Sequence, residues 1–347
     1  MALHPGFDLG EAKTLLAILS TLEAETPPLP PIPPNWKLDF DSPELGPFEN
    51  KYQFWKNTAV AGQYALVIRG TVEKTGSVVE DLLSVMIPAA GSLSLGPVHL
   101  SYTLAKEPNA GVHLGFVLGL GFLLFDGSNG ILPQLLKRKG QIRELYVSGH
   151  SQGAAVATLC RSFFAYSSLV RDLGLAYKTY VFAQPKPGND HYAYDFEALP
   201  ANRDRVFTVT NSLDWVPQVP LTLQWLDDLN QPNPLTTLLA GDPALATLAA
   251  ARDRVRIEAT AHQMVKFAPH LASLGAVLAR QTLQPVSIVA GLAAAAIPLK
   301  ILHTLYFLNA GTPVLLTGGP CPTPDCDGGW YQHHTTTYYA LLTAQYG

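Results

Sequence analysis

The chain has 347 residues, a formal net charge of −4, 48% hydrophobic residues and only 14% charged residues. This composition excludes a largely disordered chain, and the acidic balance argues against nucleic acid or an anionic membrane surface as a partner. The length fits one large α/β domain with insertions or two domains.

The predicted elements begin with a helix and an extended connector. Apolar residues from Leu15 to Leu22 recur at helical spacing, so residues 11–25 are predicted to form an amphipathic helix. The run PPLPPIPP at residues 27–34 ends this helix and is interpreted as a polyproline connector that wraps the domain, in preference to a peptide ligand. Residues 50–62 are predicted to form a second helix with an aromatic face. Residues 1–48 are thus expected to be a helix and connector within a single domain that spans 1–347.

The N-terminal residues also bear on localisation. The first twenty residues carry Asp8 and Glu11 and lack the basic region, apolar core and cleavage site of a secretory signal. If the N-terminus is native, this pattern predicts a cytoplasmic protein. Secretion is the expectation if a leader was removed.

A buried strand is predicted at residues 64–69, and it ends at Gly70 and Thr71. In open α/β sheets the chemistry collects beyond the carboxyl ends of strands, so Thr71 is expected where an oxyanion needs stabilisation. Residues 91–97 are predicted to form a loop, and a helix is predicted from residue 112 to residue 124. His113 within it is interpreted as a partly buried, hydrogen-bonded side chain rather than a catalytic one.

The most informative stretch is RELYVSGHSQGAAVATLC, residues 143–160. A β-prone run, the pattern G-x-S-x-G and a run of small residues predict a strand, a sharp turn and a helix. Glycine is needed two positions before and two after the serine, because a Cβ there would collide with the neighbouring strand or helix. Ser151 is therefore predicted to be exposed at the apex of a nucleophile elbow. An ordinary glycine-flanked turn is the alternative.

Two further strands are predicted at residues 179–183 and 205–210, and turn residues follow each of them. Both should end on the same sheet edge as the elbow, which brings Asp214 to the edge that carries Ser151. Other acidic residues downstream are less well placed, namely Asp190, Asp204, Asp227, Asp228 and Asp242.

From residue 221 to about residue 300 the composition turns to Ala and Leu, which suggests a helical insertion. A cap over the site is the functional interpretation, and a plain packing layer or interfacial membrane contact are the alternatives. The apolar run at residues 286–299 is too short to span a bilayer.

The C-terminal region is predicted to hold a short strand at residues 313–317, a Gly/Pro-rich loop, the pair His333-His334 and a terminal helix. Cys160 is expected to be a buried apolar residue. Cys321 and Cys326 are compatible with a local disulfide or with two free thiols. Neither a metal site nor a cofactor is expected.

A serine hydroxyl needs a base within hydrogen-bond reach and a carboxylate to orient that base. Ser151, Asp214 and either His333 or His334 follow the α/β-hydrolase order of serine, acid and histidine at successive strand ends. The backbone N–H groups of Gln152 and Thr71 are the predicted oxyanion donors. The predicted fold class is thus an α/β-hydrolase with a mostly parallel central sheet, flanking helices and a helical insertion.

The chain resembles the class 3 lipases. The segments that carry the resemblance are VIRGT (67–71), EDL (80–82), VHLGF (112–116), GHSQG (149–153), FAQPKPGN (182–189), NSLDWVP (211–217) and HHTTTYYALL (333–342). The resemblance implies Ser151 as nucleophile, Asp214 as orienting acid and the terminal histidine as base. The family spacing H-x-x-x-x-Y-x-x-L-L favours His333 over His334. It also implies a lid at residues 72–80, although the long insertion before His333 departs from the fungal enzymes and competes for that role.

The expected function is hydrolysis of apolar or lipid carboxylic esters through an acyl-enzyme on Ser151. The alternatives are an acyltransferase that uses the same triad and a non-catalytic hydrolase fold used for binding. The expected partners are a small ester or lipid and a transient lipid interface, with no nucleic acid. Substrate, acyl length and oligomeric state are left open.

Overall fold

The fold is built on one central sheet flanked by helices. The computed structural model describes residues 3–26, 28–70, 85–95, 98–239, 241–279, 300–322 and 330–347. Within these ranges the strands are β1 (Trp36–Asp41), β2 (Tyr52–Asn57), β3 (Gln63–Ile68), β4 (Met86–Pro88), β5 (Ala90–Leu95), β6 (Val98–Thr103), β7 (Gly111–His113), β8 (Glu144–His150), β9 (Ala176–Phe182), β10 (Val206–Asn211) and β11 (Thr312–Leu316). The helices are α1 (Leu9–Leu22), α2 (Leu114–Phe125), α3 (Ile131–Lys137), α4 (Gln152–Tyr166), α5 (Ser168–Arg171), α6 (Asp190–Ala198), α7 (Pro234–Leu238), α8 (Pro243–Ala279) and α9 (Thr335–Tyr346).

Among the described residues, seven strands pair in the order β1-β2-β3-β8-β9-β10-β11. The strands from β3 to β11 run parallel, and β1 and β2 extend the sheet in antiparallel fashion. The carboxyl ends of β3, β8, β10 and β11 therefore meet at one edge. This is the mostly parallel α/β-hydrolase sheet that the sequence predicts.

Both faces of the sheet are buried, because its central strands carry apolar residues on alternating sides. On β3, Leu66 and Ile68 belong to the core that contains α2 and α4, while Ala65 and Val67 belong to the core that contains α1 and α9. The described elements therefore form three layers, with α1 and α9 on one face of the sheet and a group of helices that includes α2 and α4 on the other.

Helix α1 is attached to the sheet by buried polar contacts as well as by apolar packing. The Glu11 carboxylate accepts hydrogen bonds from the hydroxyls of Tyr146 at 2.7 Å and Tyr180 at 2.6 Å, and it pairs with Lys178 at 2.5 Å. Because these partners lie on β8 and β9, α1 is held directly behind the strand that leads to Ser151.

Two predictions of local structure are wrong. Residues 50–62 contain β2 rather than a helix, because their aromatic side chains are buried on both faces of the sheet. Tyr52 and Phe54 pack into one core and Trp55 packs into the other. Residues 91–95 belong to β5 rather than to a loop, because the chain pairs there with β6 over six registered positions. In both segments tertiary pairing decides the structure.

In its described part, the insertion contains the short helix α7 and the 37-residue helix α8. Phe267, Leu274 and Leu278 in the second half of α8 pack into the same core as α2. The first half exposes Leu248, Val255 and Ile257. The second half of α8 therefore forms a packing layer against the body of the protein. A cap over Ser151 stays a prediction. Residues 280–299 and the predicted lid at 72–80 lie outside the described residues.

Candidate active site

The elbow forms at the end of β8, as the sequence predicts. Ser151 follows His150, has φ +57° and ψ −135°, and directly precedes α4. A non-glycine residue rarely adopts a positive φ, and such backbone strain is frequent at functional sites. The Ser151 N–H donates to the Phe182 carbonyl at 3.0 Å, which ties the turn to the end of β9.

The two glycines of the elbow are required by close backbone approach. A Cβ on Gly149 would lie 2.2 Å from the Gly153 carbonyl oxygen, and one on Gly153 would lie 2.4 Å from the Ile68 carbonyl oxygen. Gly70 is nearly as restricted, because its Cβ would lie 3.0 Å from the Ser151 Cβ. The end of β3 and the elbow are therefore in close contact. Side chains in place of these glycines would push the two segments apart.

Three predicted side chains meet at this edge in one hydrogen-bonded chain. His333 Nε2 lies 2.9 Å from Ser151 Oγ, and His333 Nδ1 lies 2.9 Å from Asp214 Oδ2. Asp214 follows β10, and His333 lies in a short 3-10 turn directly before α9. The arrangement can pass a proton from the serine hydroxyl to an imidazole whose other nitrogen faces a carboxylate.

The Asp214 carboxylate is oriented by two donors besides His333. The Tyr338 hydroxyl donates to Oδ2 at 2.8 Å, and the Val216 N–H donates to Oδ1 at 3.0 Å. The Tyr338 oxygen in turn accepts from the Asn211 N–H at 3.1 Å. Tyr338 and Asp214 are both fully buried, so these bonds set the carboxylate with little rotational freedom.

The other predicted site residues are His334, Gln152 and Thr71. His334 lies outside the hydrogen-bonded chain, with Nδ1 3.8 Å from Glu25 Oε1. Gln152 is the first residue of α4, so its backbone N–H belongs to the helix N-terminus behind Ser151. Thr71 lies outside the described residues. The roles of Gln152 and Thr71 as oxyanion donors therefore stay predictions.

The remaining acids and cysteines lie away from this chain of contacts. Asp204 precedes β10 at the opposite edge, and Asp190 begins α6. Asp227 pairs with Arg252 of the insertion. Cys160 is a buried free thiol and Cys321 is disulfide-bonded. In the ranges that are described, no cluster of His, Cys, Asp or Glu could hold a metal ion, and no helix could span a membrane.

A second histidine–carboxylate pair, which the sequence did not reveal, lies directly behind the first. His150 is buried, and its Nδ1 lies 2.9 Å from Glu23 Oε2 at the end of α1. Its Nε2 lies 2.7 Å from the His333 carbonyl oxygen, and the two imidazole rings are 4.5 Å apart. Glu23 is separated from His150 by 127 residues, so no local pattern could have indicated the contact.

The two imidazoles have opposite proton affinities. Burial lowers the pKa of His150, but the adjacent Glu23 carboxylate, together with Glu25 and Asp214, outweighs burial and raises this pKa to about 9. Burial and the positive His150 ring together lower the pKa of His333 from its ordinary value, against the opposing effect of Asp214. His333 is therefore neutral at neutral pH, and its Nε2 is available as an acceptor for the Ser151 proton.

Sequence comparison identifies relatives of this region. Residues 65–224 match the family model described as Lipase (class 3). A secreted mono- and diacylglycerol lipase, LIP1 of Malassezia globosa, is 36% identical over 84 residues, which cover 24% of this chain and 26% of the relative. The match thus spans about a quarter of the curated relative's length.

The solved structures that match part of the chain include two fungal lipases. Lip2 lipase from Yarrowia lipolytica is 20% identical with a TM-score of 0.44, covering 63% of this chain and 77% of that one. Lipase II from Rhizopus niveus is 18% identical with a TM-score of 0.43, covering 61% of this chain and 75% of that one. These likenesses are weak, whereas the sequence match includes the whole strand–elbow–helix unit and Asp214. Residues 65–224 thus match the class 3 lipase family in the segment that carries Ser151 and Asp214.

Proposed function

We propose that the protein hydrolyses carboxylic esters of lipids or other apolar alcohols and acids, with Ser151 as nucleophile, His333 as base and Asp214 as the orienting acid. The observation that carries this proposal is the hydrogen-bonded chain from Ser151 Oγ through His333 to Asp214, at a serine whose φ is +57°. The class 3 lipase match over residues 65–224 supports the same reaction class.

Acylation begins when Ser151 Oγ attacks the ester carbonyl carbon and its proton passes to His333 Nε2 across 2.9 Å. The resulting imidazolium is stabilised by Asp214. The tetrahedral intermediate then collapses, and the alkoxide leaves as an alcohol after it takes the proton from His333. Water, activated by the same nitrogen, attacks the acyl carbon and releases the carboxylic acid with Ser151 restored.

The tetrahedral intermediate carries a negative oxygen, which needs backbone donors. The Gln152 N–H at the start of α4 is one proposed donor, and the Thr71 N–H after β3 is the second. The side chain of Gln152 does not take part in this chemistry, because the backbone N–H is the group that acts. The contact between Gly70 and Ser151 supports the proximity of the two segments.

The class 3 lipase match and the apolar character of the insertion support the proposed substrate class. The Malassezia relative is described as a mono- and diacylglycerol lipase, so we propose acylglycerols or similar lipid esters as substrates. Exposed Leu248, Val255 and Ile257 on α8 support contact with a lipid interface during turnover. The site as proposed needs no cofactor.

The test is a series of chromogenic esters of rising acyl length, combined with labelling by a serine-directed phosphonate. We expect turnover and labelling in the wild type and loss of both in Ser151→Ala. Ser148→Ala is the matched control on the same strand, because the buried Ser148 hydroxyl has no hydrogen-bond partner among the described residues. Failure of every ester and of labelling would leave a non-catalytic binding fold. Product analysis with added alcohol separates hydrolysis from acyl transfer.

A further inference from the structure

Glu23 lies at the end of α1, outside the matched family segment, and contacts two parts of the site at once. Its Oε2 faces His150 Nδ1 at 2.9 Å, and its Oε1 accepts a hydrogen bond from the Gly70 N–H at 3.1 Å. The side chain is only 14% exposed. The proposed reaction does not use Glu23 or His150, so this buried pair needs another explanation.

The hydrogen-bond partners of His150 define its protonation. The His333 carbonyl oxygen can only accept, so His150 Nε2 carries a hydrogen and donates it across 2.7 Å. Glu23 Oε1 accepts from Gly70, as an ionised carboxylate does, and Oε2 is then free to accept from Nδ1. With hydrogens on both ring nitrogens, His150 is an imidazolium ion paired with a carboxylate.

This ion lies against the ring of the proposed base. The His150 and His333 rings are 4.5 Å apart with an interplanar angle of 37°. Two cations at this distance in a buried site repel strongly, so a charged His150 disfavours protonation of His333. The other charged groups that act on His150 are Glu25 and Asp214, and both favour its charged form.

We propose that Glu23 is a positioning residue for the reaction proposed above: its carboxylate keeps His150 charged, and this imidazolium holds the His333 backbone and keeps the His333 ring neutral. The same carboxylate fixes the Gly70 N–H, directly before the predicted oxyanion residue Thr71. Glu23 thus links α1 to both the proposed base and the end of β3.

The Glu23–His150 pair determines the direction in which the pH dependence of the reaction should shift. In Glu23→Gln the counter-ion of His150 is lost, and burial then favours the neutral His150 ring. The loss of that positive charge raises the pKa of His333, whereas the loss of Glu23 itself lowers it by a smaller amount, since His150 acts more strongly on His333 than Glu23 does. Because only neutral His333 accepts the serine proton, the acid limb of kcat/KM moves to higher pH.

The experiment compares pH profiles of kcat/KM for wild type, Glu23→Gln, Glu23→Asp and Glu44→Gln. Glu44 is a matched control, because its exposed carboxylate pairs with Arg69 beside Gly70 but contacts no histidine of the site. We expect Glu23→Gln to shift the acid limb upward and to lower kcat/KM roughly tenfold at mildly acidic pH. Glu23→Asp should recover most of the profile, since it keeps the charge. An unshifted acid limb in Glu23→Gln, or an equal shift in Glu44→Gln, would overturn the proposal.

A second readout does not depend on ester turnover. Side-chain ¹⁵N NMR of the full-length protein reports the charge of His150 directly, and the same spectra verify folding of each variant. We expect a protonated His150 at neutral pH in wild type and a neutral one in Glu23→Gln. A neutral His150 in wild type would contradict the inference. If the wild type hydrolyses no ester but His150 is charged through Glu23, the proposed function fails while the ionic link stands.

Discussion

His333 with Asp214 and His150 with Glu23 are two histidine–carboxylate pairs whose rings lie 4.5 Å apart at one sheet edge. They differ in what the histidine faces. His333 Nε2 faces the Ser151 hydroxyl, whereas His150 Nε2 faces a backbone carbonyl that can only accept. The first ring can give up and take a proton at Nε2, and the second must keep its proton there.

A carboxylate partner does not by itself set the charge of a histidine. Asp214 also accepts from Tyr338 and Val216, and His333 lies beside a cation. Because two adjacent buried imidazolium ions repel each other, only one of the two rings is charged, and that ring is His150. The His150–Glu23 pair thus keeps His333 neutral, which is the form that accepts the serine proton.

Among the substitutions that test this comparison, replacement of the proposed base is expected to have the largest effect on kcat. His333→Ala removes the group 2.9 Å from Ser151 Oγ and is expected to lower kcat by about 10⁶-fold. His334→Ala should stay within about twofold of wild type, because its ring lies outside the hydrogen-bonded chain. Steady-state kinetics on a chromogenic ester measures both variants. Near-normal turnover in His333→Ala, with loss in His334→Ala, would assign the base to His334.

The orienting carboxylate comes next. Asp214→Asn keeps the shape of the side chain but presents an amide to His333 Nδ1, so we expect kcat to fall by about 10⁴-fold. Asp204→Asn at the opposite end of the same strand removes the same charge from an exposed residue and serves as the control. If both variants retain similar activity, Asp214 has no orienting role.

A smaller effect is expected for the hydroxyl that holds Asp214. Tyr338→Phe removes the hydrogen bond to Asp214 Oδ2 and the acceptor of the Asn211 N–H. The free energy of unfolding should decrease by about 1–3 kcal/mol, because the Asn211 N–H is left buried without its partner. Denaturant unfolding and kcat/KM test both consequences, with the neighbouring Tyr339→Phe as control. Equal stability of the two variants would show that this hydroxyl is dispensable.

The smallest expected effect concerns Glu25, two residues after Glu23. Its carboxylate accepts from the N–H groups of Thr335 and Thr336 at the start of α9, at 2.6 Å and 3.1 Å. Glu25→Gln should lower the free energy of unfolding by about 1 kcal/mol through the loss of this charge at a helix N-terminus. Its pH profile should change less than that of Glu23→Gln. A larger shift than in Glu23→Gln would mean that Glu25, rather than Glu23, controls the charge of His150.

The sequence predicted the elements that depend on local patterns. The elbow, the strands at its sides and the positions of Ser151, Asp214 and His333 follow from short motifs and from the rule that parallel strands end at one edge. The strand β2 was missed because aromatic residues on both faces imitate a helical surface. Glu23 was missed because its contacts with Gly70 and His150 join segments 47 and 127 residues apart, and only the folded chain brings them together.

The central claim is that Ser151 carries the acyl group during ester cleavage. Rapid quench of the wild-type protein during turnover, followed by peptide mass spectrometry, measures this directly. We predict an acyl adduct on the peptide that contains Ser151 and no adduct in His333→Ala on the same time scale. Turnover without an adduct on Ser151, or an adduct on a different residue, would contradict the account.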